Sequence, residues 1–315
     1  MRKILLSVVC LMVIGIQSMN AQLLTAALHH NGKVTIYGSD QLSTAMNDAV
    51  AGDSLFLSGG SYPQKLTITR AISVIGTGAT GAITEIRGGI EIAIPDTLSH
   101  VGCQLRDIKT TDFTISKPVD SLRVTKCHFN GTTSYSASTT NTLIDRCLFN
   151  GYEFQLSNNM KKVEIIASKI AARVTYSTEN ASDVIFTNCN IKSLHNYTGY
   201  GLATYINCII NFYFTGVHCP TNAQFVNCLC GASTPYTQSI YQNCWTNTTL
   251  SFDGDMNAIV TSGSLPDYIG TDGTVVGSTG SANPYTLVPN TPHVTDAKLD
   301  VDSKTKKLIV TMSVE

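Results

Sequence analysis

The sequence predicts an all-β fold, a single-stranded right-handed parallel β-helix of about ten coils of ~20 residues, and three observations predict it. A short motif recurs about every twenty residues through the middle of the chain. Its apolar positions follow strand spacing, not the 3.6-residue spacing of a helix. The polar residues are mainly Ser, Thr, Asn and Gly, which suit tight turns and stacked strands better than long surface helices.

The repeat aligns on Ile108, Cys127, Cys147, Ser168, Cys189, Cys208, Cys228 and Cys244, at steps of 19, 20, 21, 21, 19, 20 and 16 residues. Three residues before each stand Leu105, Val124, Ile144, Ile165, Phe186, Tyr205, Phe225 and Tyr241, all apolar or aromatic. Two residues after each stand Thr110, Phe129, Phe149, Ile170, Ile191, Ile210, Cys230 and Thr246. Positions two apart share one strand face, whereas a separation of three breaks the alternation. A bend must therefore fall between the first column and the second, with both pointing into one core. The residue before the marked position is Asn188, Asn207, Asn227 and Asn243 in four late turns. Asparagine tolerates left-handed backbone and bonds its own surroundings, so it fits such a bend and can bond from coil to coil. Asn130, Asn150, Asn211 and Asn247 mark a second corner. Cys127, Cys147, Cys189, Cys208, Cys228 and Cys244 are expected to form an inward stack of reduced thiols acting as small hydrophobes. A hydroxyl in their place would lack obvious partners.

The elements follow in order. Residues 1–21 read as a signal peptide, with Arg2 and Lys3 before the apolar run Ile4 to Ile16 and cleavage after Ala21. Met19 is an imperfect match to the small-residue rule, and Cys10 leaves with the peptide. Residues 22–260 form the solenoid. Leu42, Ala45, Met46, Ala49 and Val50 make an amphipathic helix near 40–50, N-capped by Ser39 or Asp40, that covers the first coil. Residues 261–315 combine a Gly/Ser/Thr-rich loop with C-terminal capping strands, Ala297 to Val301 and Leu308 to Met312, which read as a terminal hairpin or small sheet.

Composition narrows the partners. Charged residues make up 14% of the chain and the net charge is −1, which offers no basic face for nucleic acid. No stretch beyond the signal peptide is long and apolar enough to span a membrane as a helix. A monomer located in the periplasm, at the cell surface or outside the cell is expected.

Leu42, Ala45, Ala49, Ala51-Gly52-Asp53-Ser54-Leu55 and Gly60-Ser61-Tyr62, followed by Ile72-Ser73-Val74-Ile75-Gly76, resemble the first coils of pectin-lyase-like β-helix proteins. The Asn-Cys-x-Ile units resemble their later coils. The tail Gly270 to Gly277, with Pro284-Tyr285 and with Gln22 after the cleavage site, is similar to exported Bacteroidetes proteins of this kind. The resemblance covers most of residues 35–290. It implies the fold, and leaves activity open among lyases, hydrolases and non-catalytic surface proteins. Asp53-Ser54-Leu55, Asp96-Thr97-Leu98 and Asp120-Ser121-Leu122 resemble the O-glycosylation acceptor of that phylum.

Candidate chemistry is sparse. A lyase must neutralise a uronate and remove its α-proton. Asp107, Lys126 and Arg146 stand before the marked position in three consecutive coils, which would place an anion site beside a carboxylate. The same groups would equally make a salt-bridge ladder at a solvated corner, and that is the expectation here. No aligned acid pair suggests a glycosidase. Asp253, Asp255 and Asn257 have oxygen ligands at calcium-loop spacing, but Ala258 stands where an EF-hand needs glycine and Ser264 where it needs glutamate. No other cofactor is implied. Trp245 and Tyr213, with Tyr197, Tyr200 and Tyr236, could stack on sugar. The preferred reading is an exported non-catalytic protein that binds polysaccharide or cell-surface glycan or serves a surface-structural role. The alternative is a polysaccharide lyase or related enzyme acting on acidic polysaccharide.

Overall fold

The computed structural model describes residues 24–81, 83–156, 159–176, 183–195, 203–211, 222–231, 239–246, 249–261, 263–289, 294–302 and 307–314. The proposed signal peptide, Tyr213, Tyr197, Tyr200, Tyr236 and Asn247 lie outside them. The fold is a parallel β-solenoid. A coil passes through a first sheet, bends sharply into a second, and, in the coils up to Asn190–His195, turns again into a third.

The first sheet stacks ten parallel strands, from Ser54–Leu57 to Ile240–Gln242. Its register puts Leu55, Val74, Leu105, Val124, Ile144, Ile165, Phe186, Tyr205, Phe225 and Tyr241 in one inward column. The last four rings stack at 4.8–5.0 Å and are nearly parallel, a spacing set by the distance between coils. The second sheet runs from Gly60–Tyr62 to Trp245–Thr246 and carries Phe129, Phe149, Ile170, Ile191, Ile210 and Cys230 inward. The third sheet comprises Leu66–Ile68, Ile90–Ile92, Phe113–Ile115, Thr133–Tyr135 and Glu153–Leu156, and continues into the second halves of Lys169–Tyr176 and Asn190–His195.

The bend between the first two sheets is one residue in left-handed conformation. Asp107, Lys126, Arg146, Ala167, Asn188, Asn207, Asn227 and Asn243 occupy it in eight successive coils, with φ between 46° and 58°. The expected left-handed backbone thus extends through four coils that lack asparagine. Each bend is held by its own amide: Asp107 N donates to Thr125 O, Lys126 N to Asp145 O, Asn188 N to Ile206 O, and so on along the column. One coil earlier the place belongs to Gly76, where a Cβ would lie 2.3 Å from the Asp107 carbonyl oxygen. At the second corner, Asn130 N, Asn150 N and Asn211 N bond back to the preceding coil as expected of that column. Stacking is tight there too, since a Cβ on Gly151 would meet the Gly131 carbonyl at under 2 Å.

The side chain after the bend points inward and caps it. Cys208 Sγ donates to Ile206 O at 3.3 Å and to Phe186 O at 3.5 Å, and it accepts Cys189 N at 3.5 Å. Cys147, Cys189, Cys228 and Cys244 repeat the pair of carbonyl contacts. The described cysteines are free thiols, and burial pushes those of Cys103 and Cys127 up to about 12. Ser168 overturns the expectation that a hydroxyl would be poorly partnered. Its Oγ accepts Cys147 N at 3.0 Å and donates to Ile166 O at 2.8 Å.

The N-terminal end is closed by a helix, α1 (Leu42–Asp48), and by the antiparallel pair β1 (Thr25–His30) and β2 (Lys33–Gly38). Leu42, Ala45 and Met46 face the core. The N-cap is Gln41, not Ser39 or Asp40, because a tight turn comes first: Gln41 N donates to Gly38 O, and Gly38 N to Gln41 Oε1. The tail also departs from a simple far-end cap. Residues 263–289 run back along the bend as a strap. Thr271 N donates to Asn207 Oδ1, Ser278 N to Asn190 Oδ1, and Lys126 Nζ reaches Val288 O. Val276 closes a second small core with Ile209, Leu229 and Leu250. Val294–Asp302 and Lys307–Val314 form the expected hairpin.

Because Ser168 already shows a hydroxyl fully bonded at a stack position, Cys208→Ser should cost less than about 1 kcal/mol. Cys208→Ala should cost more, since Cys189 N loses its acceptor and a small cavity opens. Urea unfolding of both variants measures the order; Ala proving milder than Ser would show that the capping bonds carry no weight.

Candidate functional site

The bend column and the strap together create a dry seam. Asp107 is fully buried and Lys126 is 2% exposed, so the expected solvated salt-bridge ladder is corrected. At Lys126 the strap reaches this corner through Val288 O. The three groups also do not pair with one another in sequence order. Arg146 binds its neighbour Asp145 through Nε at 2.9 Å and Nη2 at 2.5 Å. Arg106 Nε lies 3.3 Å from Asp107 Oδ2, without the alignment of a hydrogen bond, and neither carboxylate oxygen of Asp107 has a hydrogen-bond partner. Burial raises the Asp107 pKa against the pull of Arg106, Lys126 and Arg146. Burial, with Arg146 nearby, lowers that of Lys126, whose ammonium donates to Val288 O at 2.5 Å.

A second cation sits where the calcium-like loop meets the solenoid. Asp253 folds that loop: its Oδ1 accepts Asp255 N and Asn257 N, and its Oδ2 accepts Asn257 Nδ2 at 3.0 Å. The oxygens left over, Asp255 O and Asn257 Oδ1, both accept Lys169 Nζ at 2.8 Å, with the Tyr285 ring 4.5 Å from the same nitrogen. Lys169 is 5% exposed and comes from the second sheet. The loop therefore coordinates an ammonium tethered to the protein, and a calcium ion would have to displace it. Among the described residues no cluster of three or more His, Cys, Asp or Glu side chains is placed to hold a metal. Trp245 is half-buried, packed edge-on against Tyr268 of the strap at 5.5 Å. Asp96-Thr97-Leu98 lies on a fully exposed turn, unlike the other two acceptor-like triplets.

The outward face of the third sheet escaped the sequence reading. Register places Thr67, Glu91, Thr114 and Ser134 side by side, with Gln155 farther along next to Thr175, which is buried. Ser134 Oγ donates to Thr114 Oγ1 at 3.4 Å. Lys65 binds Glu91 at 2.7 Å and holds its carboxyl below the usual range, and the neutral Thr175 hydroxyl donates to the Glu153 carboxylate. Tyr152, at the corner leading in, is 70% exposed with Arg173 4.4 Å from its ring centroid. On the second sheet, Glu85 bridges Lys109 at 3.2 Å and Arg87 at 3.1 Å. Next to Lys109, His128 is pushed by burial down to about 4 and is neutral at pH 7.

No family model, curated protein or solved structure matches the chain.

The buried Asp107 carboxyl, which has an ion pair to Arg106 but no hydrogen bond, gives a signed prediction. The raised Asp107 pKa means the folded state holds the proton more tightly than the unfolded chain does. Stability is therefore lost as pH rises from the ordinary value of 3.8 through the raised folded value. Asp107→Asn puts at this bend the residue used in four later coils and removes the buried charge. It should raise stability at pH 7 by roughly 1–3 kcal/mol, with the gain shrinking below about pH 3.8. Denaturant midpoints at pH 7 and pH 3 decide; a variant weaker than wild type at pH 7 would mean that the attraction to Arg106, Lys126 and Arg146 outweighs burial.

Proposed function

We propose that the protein is an exported, non-catalytic β-solenoid that binds neutral glycan along the outward face of its third sheet. The observation that carries this reading is the burial of Asp107 and Lys126 together with the pairing of Arg146 to its neighbour Asp145. A lyase would need such groups open to a uronate, whereas here the lysine is spent on Val288 and the carboxyl is sealed. The third-sheet face offers the opposite chemistry. Its hydroxyls and amide, repeating with the coils about 4.8 Å apart, exchange hydrogen bonds with sugar hydroxyls and need no charge. Tyr152, steadied by Arg173, supplies a flat apolar face for a sugar ring. The resemblance of the opening coils to pectin-lyase-like proteins agrees with a polysaccharide lying along an outward sheet. The Arg2-Lys3 start with its apolar run, and the likeness of the tail to exported Bacteroidetes proteins, support export.

Affinity electrophoresis through gels containing dextran, xylan, mixed-linkage β-glucan or polygalacturonate tests the reading. Retardation by at least one neutral polysaccharide is expected, with Tyr152→Ala reducing it several-fold and no unsaturated ultraviolet-absorbing product released from polygalacturonate. Such a product, lost in Lys126→Ala, would overturn the proposal in favour of the lyase.

A further inference from the structure

The core is capped at its N-terminal end, but the first sheet stays open there. That sheet ends on β2, which pairs with β1 alone. A two-residue turn, Asn31-Gly32 with φ of 46° and 77°, joins the two strands, so His30 and Lys33 form the hydrogen-bonded pair beside it. Bonding then alternates, and Thr35 and Tyr37 also aim their backbone groups at β1. β1 keeps the same rhythm, since Thr25 turns the other way and its carbonyl accepts Ser58 N. The backbone groups of Val34, Ile36 and Gly38 therefore point away from the sheet. Those of Gly38 are used in the turn into α1, its amide donating to Gln41 Oε1 and its carbonyl accepting Gln41 N. Val34 and Ile36 keep two amides and two carbonyls facing outward, with no partner among the described residues. Their side chains are open too, at 48% and 61% exposure. Ile36 starts an outward row that continues through Ala27 and Phe56 to Ile75. Sheets blunt such an edge with a bulge, a proline or a charge at its middle. β2 has none of these, and its one charge, Lys33, stands at the turn end.

We propose that β2 is the interface of a two-fold dimer, in which it pairs antiparallel with β2 of a second copy and Thr35 lies on the symmetry axis. In that register Val34 faces Ile36 of the second copy and exchanges both backbone bonds with it, and Ile36 does the same with Val34 of the second copy. All the open groups are satisfied at once. A register centred on Val34 or on Ile36 leaves the other residue's groups unmet, because Gly38 is already bonded and Gly32 lies in the turn. The side chains agree with the Thr35-centred register. On the outward face Val34 and Ile36 meet as an apolar cross-strand pair. On the other face the exposed Lys33 stands across from Tyr37 of the second copy, whose hydroxyl donates to Asp48 Oδ2 at 2.7 Å. An ammonium thus approaches a carboxylate twice, once on each side of the axis. The contact is the same patch on both copies, so it closes at two and joins the solenoids at their N-terminal ends. A strand edge this short makes a small interface, so the dimer dissociates on dilution. It departs from the monomer expected of the sequence and stands independently of any glycan binding by the third sheet.

Sedimentation equilibrium of the protein after signal cleavage, over a dilution series, tests this together with cross-linking. A monomer–dimer equilibrium is expected, with no larger species. Thr35→Cys sets two thiols directly opposite each other at a non-hydrogen-bonded pair, with Cα atoms ~4.5 Å apart, within reach of a disulfide. Mild oxidation should convert it to a covalent dimer that peptide mapping finds linked at position 35. Val34→Cys, off the axis, should cross-link far less. Ile36→Pro removes an amide that faces solvent in the single chain. Two bonds lost per dimer should weaken association roughly tenfold or more. Lys33→Glu should weaken it as well, and adding Asp48→Lys should restore it. A wild-type chain that stays monomeric up to its solubility limit, association unchanged by Ile36→Pro, or equal cross-linking from positions 34 and 35 would each overturn the proposal. If circular dichroism shows that Ile36→Pro fails to fold, wild-type sedimentation and the two cysteine variants decide.

Discussion

In eight successive coils a single residue in left-handed conformation turns the chain from the first sheet into the second, and the rest of the molecule is arranged around that bend. A left-handed residue other than glycine costs roughly 1–2 kcal/mol, with asparagine the best tolerated. The cost is met locally. From Asp107 to Asn227 the amide of the bend residue bonds the coil above, and from Lys126 onward the next side chain, a thiol or the Ser168 hydroxyl, bonds the carbonyls that the bend leaves exposed. The short turn also keeps strand spacing constant, so that apolar columns fall in register and rings stack coil on coil. A longer or variable turn at this corner would lose that register.

The strap follows from the same geometry. A column of bends presents backbone and polar side chains along one edge, and residues 263–289 bond that edge through Asn190, Asn207 and Lys126, with Asn188 joining Asp272. Sealing the edge has an electrostatic consequence. Buried cations need acceptors: the strap carbonyl of Val288 receives Lys126, and Asp255 O with the Asn257 amide oxygen of the preceding loop receives Lys169. Asp107 receives no such partner. Its carboxylate makes no hydrogen bond and has Arg106 Nε 3.3 Å away, whereas the strap amides of Thr271 and Ser278 go to Asn207 and Asn190.

How much of this was legible in the sequence follows from which spacings are fixed. The column from Leu105 to Tyr241 and the stack from Cys127 to Cys244 were readable because one bend residue always separates the first sheet from the second. The third-sheet row was not. Thr114, Ser134, Gln155 and Thr175 stand six, seven, eight and seven residues after their marked positions, so the second corner varies in length and blurs the period. The left-handed bend was legible at Asn188, Asn207, Asn227 and Asn243 from residue type. At Lys126, Arg146 and Ala167 only the stack imposes it. The pairing of Lys169 with Asn257 is made between residues eighty-eight apart in the chain, and no local pattern encodes it.

These constraints also separate what the solenoid can expose from what it must hide. The seam needs its charged groups for holding the strap, and the first-sheet rings and thiols need the interior for register. Freedom to vary is left on the third sheet, whose outward residues meet no strap among the described contacts and whose corner tolerates length changes. That freedom has been filled with small hydroxyls, an amide, the Lys65–Glu91 ion pair and one exposed ring, Tyr152. A face of this kind gains nothing from a proton-transferring group and can distinguish ligands only by shape and hydrogen-bond pattern. Under the proposed reading, extended chains carrying many hydroxyls are the ligands such a ladder would address over several coils at once, since each coil adds a modest contact and the stack sums them.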